Sequence, residues 1–243
     1  EREVIAYKKN YGLEDHEMKV VGVPRHEPRW IEKIERESPS DVPESWDRNI
    51  FIISRGGISD NLTKEKKREA LEDIRRLAFE DLDCKLVVKL HPTERVPKNR
   101  DGLYEEVLGS DAYEKRWMYS AAHPLVLGKR CMFAVAFYSG VPIDLLALGV
   151  PTIERMSVGS APGDSERGRK IYDTLMMFRK RGFVLPADTY EELKRHAIDI
   201  INDKRAVMQK LELRYEEFFS GNVRQPIRVI ADDIIGALDV PQE

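Results

Sequence analysis

The sequence lacks the signatures of several large protein classes. It has no apolar run of about 18 residues, which excludes a transmembrane helix. Its two cysteines, Cys84 and Cys131, lie in apolar, strand-like stretches, which predicts reduced, buried thiols. No Cys/His set has zinc spacing, so we expect no metal. The motifs Gly-x-Gly-x-x-Gly, Walker and Gly-x-Ser-x-Gly are also missing, which leaves no local support for a dinucleotide oxidoreductase, an NTPase or a serine hydrolase.

Neither sign of charge dominates the chain. The 243 residues include 40 Lys and Arg and 43 Asp and Glu, for a formal net charge of −3. General nucleic-acid binding requires a basic excess, so we expect no nucleic-acid partner. No signal peptide or initiator methionine is visible, and the first residues read as the middle of a helix. We therefore expect a trimmed or partial chain in the cytoplasm, with attachment to the inner face of the membrane as a second option.

Strand-like and helix-like segments alternate between residues 49 and 186, which indicates βαβ units. This pattern predicts an α/β fold, with a Rossmann-like parallel sheet and helices on both faces. A long helix is expected at Thr63–Leu82, where apolar residues recur at helical spacing. The predicted strands of the sheet are 49–54, 85–90, 116–120, 132–138, 151–154 and 182–186. A further short strand is expected at 19–23. A helical C-terminal tail is expected at 189–202, 204–219 and 226–238.

The first candidate site follows the first strand of this sheet. Its residues are Ser54, Arg55, Gly56 and Gly57. Glycines let backbone amides approach a phosphate, and Arg55 can pair with one bidentately. The alternative interpretation is a tight turn into the next helix.

The second candidate is a His-Pro pair at the end of the next strand. His91 and Pro92 are preceded by Lys89 and followed by Glu94. A histidine at the carboxyl end of a strand can donate a hydrogen bond to a phosphate or protonate a leaving phosphate. The alternative is a histidine satisfied by a nearby carbonyl. We favour His91 as the catalytic residue, because open α/β sheets bind ligands at the carboxyl ends of their strands.

The third candidate lies in the turn at Tyr138, Ser139 and Gly140, before a short helix. Ser139 can contact a phosphate oxygen, and the first amides of the helix attract anions. Asp144, about one turn into the helix, can accept the hydroxyls of a ribose. The alternative is an ordinary capping turn. Glu154 ends the following strand and is expected to line the same cleft.

The remaining histidines are not assigned to the site. His123 precedes Pro124 and opens a helix, so we interpret it as structural. His16, His26 and His196 lie in polar or helical surface contexts and receive no role.

These motifs resemble the nucleotide-binding half of GT-B-fold glycosyltransferases over roughly residues 18 to 220. The segment SGVPIDLLALGVPTIE (139–154) is similar to the family's turn, helix and strand motif, and Asp144 occupies the position of a ribose-binding glutamate. The segment 20–25 resembles the connection between the two halves. Lys89-Leu-His91-Pro92 resembles the His-Pro motif of bacterial sialyl-, Kdo- and glycerophosphate transferases, whose histidine contacts the phosphate of a CMP or CDP donor.

The resemblance implies a donor-binding domain of a surface-polysaccharide (capsule) glycosyltransferase that uses a CMP-, CDP- or UDP-linked sugar and needs no metal or other cofactor. Residues 1–47 would be an N-terminal segment and linker, a remnant of the acceptor half, and residues 48–243 the nucleotide-sugar-binding domain. The family's catalytic base lies in the other half. The glycan or lipid-linked acceptor would therefore bind through a half that this sequence lacks.

Two alternatives remain open at this stage. A UDP-sugar 2-epimerase can have the same fold and would convert its substrate without an acceptor. A non-catalytic nucleotide-binding or scaffolding module would keep the fold without turnover.

Overall fold

The computed structural model describes residues 11–18, 22–55, 62–95, 102–156, 176–219 and 226–238. Within these residues, the centre of the molecule is one sheet of six strands, all parallel, in the spatial order β3-β2-β1-β4-β5-β6. This is the order of a doubly wound Rossmann fold, and its topological switch point lies between β1 and β4. The strands are β1 (Asn49–Ile53), β2 (Lys85–Lys89), β3 (Trp117–Tyr119), β4 (Phe133–Ala136), β5 (Thr152–Arg155) and β6 (Leu185–Ala187).

Helices connect the strands and form the C-terminal tail. The Thr63 hydroxyl accepts a hydrogen bond from the Lys66 amide and caps α2, whose buried stripe includes Leu71 and Ile74. The helix continues as a π-helical turn at Leu77–Asp81. The helices of the described residues are α1 (Pro28–Glu37), α2 (Lys64–Arg76), α3 (Leu103–Leu108), α4 (Pro124–Lys129), α5 (Val141–Leu146), α6 (Met177–Arg181), α7 (Tyr190–Phe219) and α8 (Pro226–Leu238).

Both faces of the sheet are covered, as predicted. In β1, Ile50 and Ile52 point into one apolar cluster, while Phe51 and Ile53 point into another. All four side chains are at most 3% exposed. A strand buried on both faces needs a continuous apolar run, and this run is why the strand could be predicted from the sequence.

The C-terminal tail also follows the prediction, including the position of its interruption. The long helix α7 has non-helical dihedral angles at Asp203, between the predicted segments 189–202 and 204–219. The Asp203 carboxylate accepts a hydrogen bond from the Ala206 amide at 2.9 Å, as a residue that caps a helix does. The prediction for α8 agrees with the structure at both ends.

Two expectations change in detail. The strand predicted at 182–186 is β6, Leu185–Ala187, because Gly182 adopts a positive φ of 70° and ends α6 instead. The long helix predicted to end at Leu82 changes to π geometry after Arg76. The strand predicted at 19–23 falls largely outside the described residues.

Residues before the proposed boundary at 47 pack against the sheet. Val42 and Trp46 are buried in the cluster that contains Phe51. The division after residue 47 stays a prediction. Both cysteines are buried free thiols, and burial raises the pKa of each to about 12.

Candidate functional site

The turns after β1 and β4 meet at the switch point of the sheet. Arg55 follows β1, and its Nη1 donates a hydrogen bond of 2.5 Å to the carbonyl of Tyr138, which follows β4. The Ser54 amide, in turn, donates to the carbonyl of Lys89 at the end of β2. The structure thus brings three of the predicted segments to one edge of the sheet. Gly56 and Gly57 lie outside the described residues.

His91 is partly exposed immediately after β2, and Thr93 contacts one side of its ring. The His91 Nδ1 lies 2.8 Å from the Thr93 hydroxyl and 3.3 Å from the Thr93 amide nitrogen. An amide N–H can only donate, so the neutral ring accepts at Nδ1 and carries its proton on Nε2. The Nε2–H of the neutral ring is therefore the side of His91 that can donate a hydrogen bond. Pro92 is exposed and begins the short 3₁₀ turn Pro92–Arg95.

Glu94 lies beneath His91 in a buried polar network. Its Oε2 accepts hydrogen bonds from the His91 amide at 2.9 Å and the Ser54 hydroxyl at 2.6 Å. Its Oε1 accepts from the Lys67 ammonium at 2.5 Å, and the Tyr104 hydroxyl donates to Ser54. Glu94 is only 8% exposed and Lys67 only 7%. This network joins the loops after β1 and β2 and fixes the start of the His91 turn.

The turn after β4 is backbone-strained and open on one side. Tyr138 adopts a positive φ of 39°, a region that a bulky residue rarely enters, and its side chain is buried. The Ser139 hydroxyl accepts a hydrogen bond from the Val141 amide at 3.2 Å, as helix α5 begins. A Cβ added at Gly140 would meet nothing within 4 Å. The backbone of this turn therefore borders open space, where the sequence predicted a phosphate.

Asp144 receives two side chains from the far N-terminal part of the chain. Its Oδ1 accepts from Arg25 Nε at 2.6 Å and lies 2.7 Å from His26 Nε2. Burial on its own would raise the pKa of the Asp144 carboxyl. The hydrogen bonds from His26 and Arg25, with their charges, outweigh that effect and lower the pKa. The predicted contact of Asp144 with a ribose stays a prediction, and this carboxylate already serves as an acceptor within the chain.

Lys89 and Glu154 are both held by other protein groups. The Lys89 ammonium donates to the carbonyls of Ala121 and Ala122 at 2.6 and 2.5 Å. Glu154 is 1% exposed, and its Oε2 accepts from Arg179 Nε at 2.7 Å. Burial raises the pKa of the Glu154 carboxyl despite that arginine. These contacts give both residues structural partners, and their predicted contacts with a nucleotide sugar remain predictions.

His123 has the kind of structural contact expected from its sequence. Its Nδ1 accepts a hydrogen bond from the Leu125 amide at 3.2 Å, which caps α4. Burial, and then the charge of Lys89, lower the pKa of the imidazole. Because the ring caps a helix in the neutral form, the local structure favours its uncharged state.

Sequence reasoning missed four residues that shape this edge. Lys67 and Tyr104 lie in the buried network, and Arg25 and His26 bind Asp144. The first pair had a weak signal, since Lys67 interrupts the buried face of a predicted helix. The second pair had none, because about 118 residues separate His26 from its partner.

No group of three or more His, Cys, Asp or Glu residues in the described ranges is arranged to hold a metal ion. None of the helices in this part of the chain combines the length and apolarity needed to cross a bilayer.

Comparison with known proteins identifies the fold through structure alone. No protein-family model matches the sequence, and no curated protein matches it either. Among solved structures, S. aureus MnaA with UDP has a TM-score of 0.58 and 14% identity, covering 100% of this chain and 59% of that one. A variant of the wall teichoic acid polymerase TagF has a TM-score of 0.56 and 14% identity, covering 96% of this chain and 56% of that one. The Methanocaldococcus jannaschii UDP-GlcNAc 2-epimerase with UDP-GlcNAc and UDP has a TM-score of 0.54 and 16% identity, covering 93% and 57%.

These comparisons establish the architecture. The chain spans somewhat more than half the length of each of these proteins. At 14 to 16% identity, the likeness shows a common fold and does not assign an activity. The prediction of a Rossmann-like α/β fold of the GT-B type is thereby confirmed.

Proposed function

We propose that this chain is the nucleotide-sugar-binding unit of a GT-B-fold enzyme, and that the reaction is glycosyl transfer from a CMP-, CDP- or UDP-linked sugar in surface-polysaccharide synthesis. The observation that carries the proposal is the arrangement of His91. Its Nδ1 accepts from Thr93, so Nε2–H is left to donate at the carboxyl end of β2, next to the switch point. The TagF polymerase among the structural neighbours supports transfer chemistry on this fold.

The chemistry requires charge stabilisation at the leaving group. As the bond between the anomeric carbon and the phosphate oxygen breaks, negative charge collects on the departing nucleotide phosphate. His91 would donate a hydrogen bond from Nε2–H to that oxygen, while Arg55 and the amides of the Ser139 turn would stabilise the remaining charge. An acid in another part of the enzyme would deprotonate the acceptor hydroxyl.

A UDP-sugar 2-epimerase is the second candidate, and the solved epimerases among the structural neighbours support it. MnaA bound to UDP and the Methanocaldococcus jannaschii epimerase have the same fold. The proposed nucleotide contacts of His91 would serve this reaction equally. The two candidates differ in whether a second substrate is needed.

Nucleotide binding is the first test. The midpoint temperature of thermal unfolding is measured with CMP, CDP, UDP or GDP. It should rise with at least one pyrimidine nucleotide, which would stabilise the fold by about 2.7 kcal/mol at 100 times its Kd. His91→Ala and Ser139→Ala should each weaken that binding by about 1–3 kcal/mol. His196→Ala is the matched control. The His196 ring lies on α7 and donates to the Pro186 carbonyl of β6, so its removal should leave affinity unchanged. A chain that responds to no nucleotide would be a scaffold instead.

Product analysis separates the two enzymes. The chain is incubated with UDP-GlcNAc in the absence of any acceptor, and the sugar is identified by NMR. A change of configuration at C2 would establish the epimerase and reject the transferase. Nucleotide release only when an acceptor glycan is added would establish the transferase.

A further inference from the structure

Arg25 lies at the same edge of the sheet as the candidate site, although no sequence motif pointed to it as a site residue. It belongs to the 3₁₀ turn Pro24–His26, and its Nε donates to Asp144 on the first turn of α5. Its side chain is 58% exposed, against 19% for Asp144. Asp144 is the only acceptor of the Arg25 guanidinium among the residues that the structure describes. The outer nitrogens of the guanidinium therefore face solvent.

His26 makes the position of Arg25 specific. Its ring is 8% exposed and contacts the same Oδ1 of Asp144 at 2.7 Å. The His26 amide also donates to the carbonyl of Val23, which closes the turn. Two neighbouring side chains on one carboxylate oxygen fix this turn against α5. An arginine restrained in this way loses less conformational entropy when it binds an anion.

Two lysines at this edge are held by buried partners, and Arg55 already has a place in the proposed site. Lys67 is paired with Glu94, and Lys89 is held by two backbone carbonyls. Arg55 uses Nη1 on the Tyr138 carbonyl. Asp144 lies four residues beyond Gly140, a rise of about 6 Å along a helix. Arg25, which is exposed whereas Arg55 is half-buried, is thus a further cation beside the Ser139–Gly140 turn.

We propose that Arg25 is a phosphate-binding residue of the nucleotide-sugar site, and that Asp144 is a positioning residue that holds it there with His26. This inference rests on the proposed function, because it assumes that a nucleotide occupies this edge. It also changes the expected role of Asp144, which would orient a cation instead of accepting ribose hydroxyls.

The experiment measures the affinity of the whole chain for the nucleotide that binds in the screen above, by calorimetry at 50 and 200 mM salt. Arg25→Gln should weaken binding about tenfold at low salt and reduce the salt dependence. Arg25→Lys should retain part of the affinity, because it keeps the charge without the planar fork. Arg29→Gln is the control, since it removes the same charge from an exposed position four residues away. An Arg25→Gln chain that binds like wild type at both salt concentrations would overturn the proposal.

A second ligand separates the two roles of Asp144. The 2′,3′-dideoxy form of the same nucleotide lacks the ribose hydroxyls. If Asp144 positions Arg25, Asp144→Asn should weaken both ligands by the same factor. A loss confined to the ribonucleotide would show that Asp144 binds the ribose, and would overturn its assignment as a positioning residue. If wild-type protein binds neither ligand, the proposed function itself fails, which is distinct from a wild type that binds and an Arg25 variant that is unaffected.

Discussion

The loop after β2 and the turn after β4 reach the same edge of the sheet but are held in opposite ways. The His91 loop is fixed from below by Glu94, whose partners are all buried or part-buried and lie within 40 residues of it. The turn at Ser139–Asp144 is fixed from outside by Arg25 and His26, which lie more than 115 residues away. The first is an internal part of the Rossmann unit. The second depends on an N-terminal segment.

This difference indicates that the His91 loop is the more rigid of the two parts. A buried charge pair with every oxygen engaged has few alternative arrangements, so the direction of His91 is set whenever the sheet is folded. An ion pair with a partner that is 58% exposed is screened by water and salt. This edge of the sheet therefore combines the buried network around Glu94, which is rigid, with the Arg25–Asp144 contact, which is more easily displaced.

Glu94→Ala should lower the stability of the fold most, because it removes the centre of the buried network that holds the His91 loop. The change leaves the Lys67 ammonium buried without its counter-charge, which costs about 3–5 kcal/mol of unfolding free energy. Urea unfolding measures the loss. Lys67→Met should cost less, because Glu94 would keep its bonds from Ser54 and His91. The double variant should lose less than the sum of the two, and strict additivity would refute the coupling.

Asp144→Asn should produce a smaller effect with a distinct pH dependence. We expect a loss of about 1 kcal/mol near neutral pH, because Arg25 is largely exposed. The folded-state pKa of Asp144 is lowered, so its contribution is complete above the unfolded-state pKa of about 3.9 and is lost as the pH falls through the lower folded value. Unfolding curves of wild type and variant should therefore converge in acid. A difference that persists unchanged at the lowest pH would contradict the ion pair.

Thr93→Val should have the smallest effect, and it tests which group of Thr93 orients the His91 ring. It removes the hydroxyl near His91 Nδ1 but keeps the backbone amide that donates to the same atom. Nucleotide affinity should fall by less than about 1 kcal/mol. Nitrogen-15 NMR should still show the neutral ring with its proton on Nε2. A switch to the Nδ1–H tautomer would show that the hydroxyl, and not the amide, sets the ring.

The fold was legible in the sequence because its signals are local. The buried run of β1, the helical spacing of Leu71 and Ile74, and the interruption near Asp203 each depend on neighbouring residues. The start of β6 was misplaced because pairing with β5, and not hydrophobicity, decides where this strand begins.

Within the candidate site, only the residues that follow the ends of strands could be predicted from the sequence. The carboxyl ends of β1, β2 and β4 predicted that Ser54, His91 and Ser139 belong to one edge. The roles within that edge depend on side chains that converge from distant segments. No local pattern indicated that Asp144 would meet His26, or that Glu94 would meet Lys67.

The left-handed backbone at Tyr138 limits which amino acids this corner can accept. A conformation of this kind costs on the order of 1–3 kcal/mol and persists only where its surroundings enforce it. Here Tyr138 is only 6% exposed, and Arg55 donates a hydrogen bond to its carbonyl. Valine or isoleucine would suffer the full steric penalty, whereas glycine would relax the angle and forfeit the anchor. The strain at Tyr138 thus accompanies a peptide group whose orientation is already fixed in the folded chain.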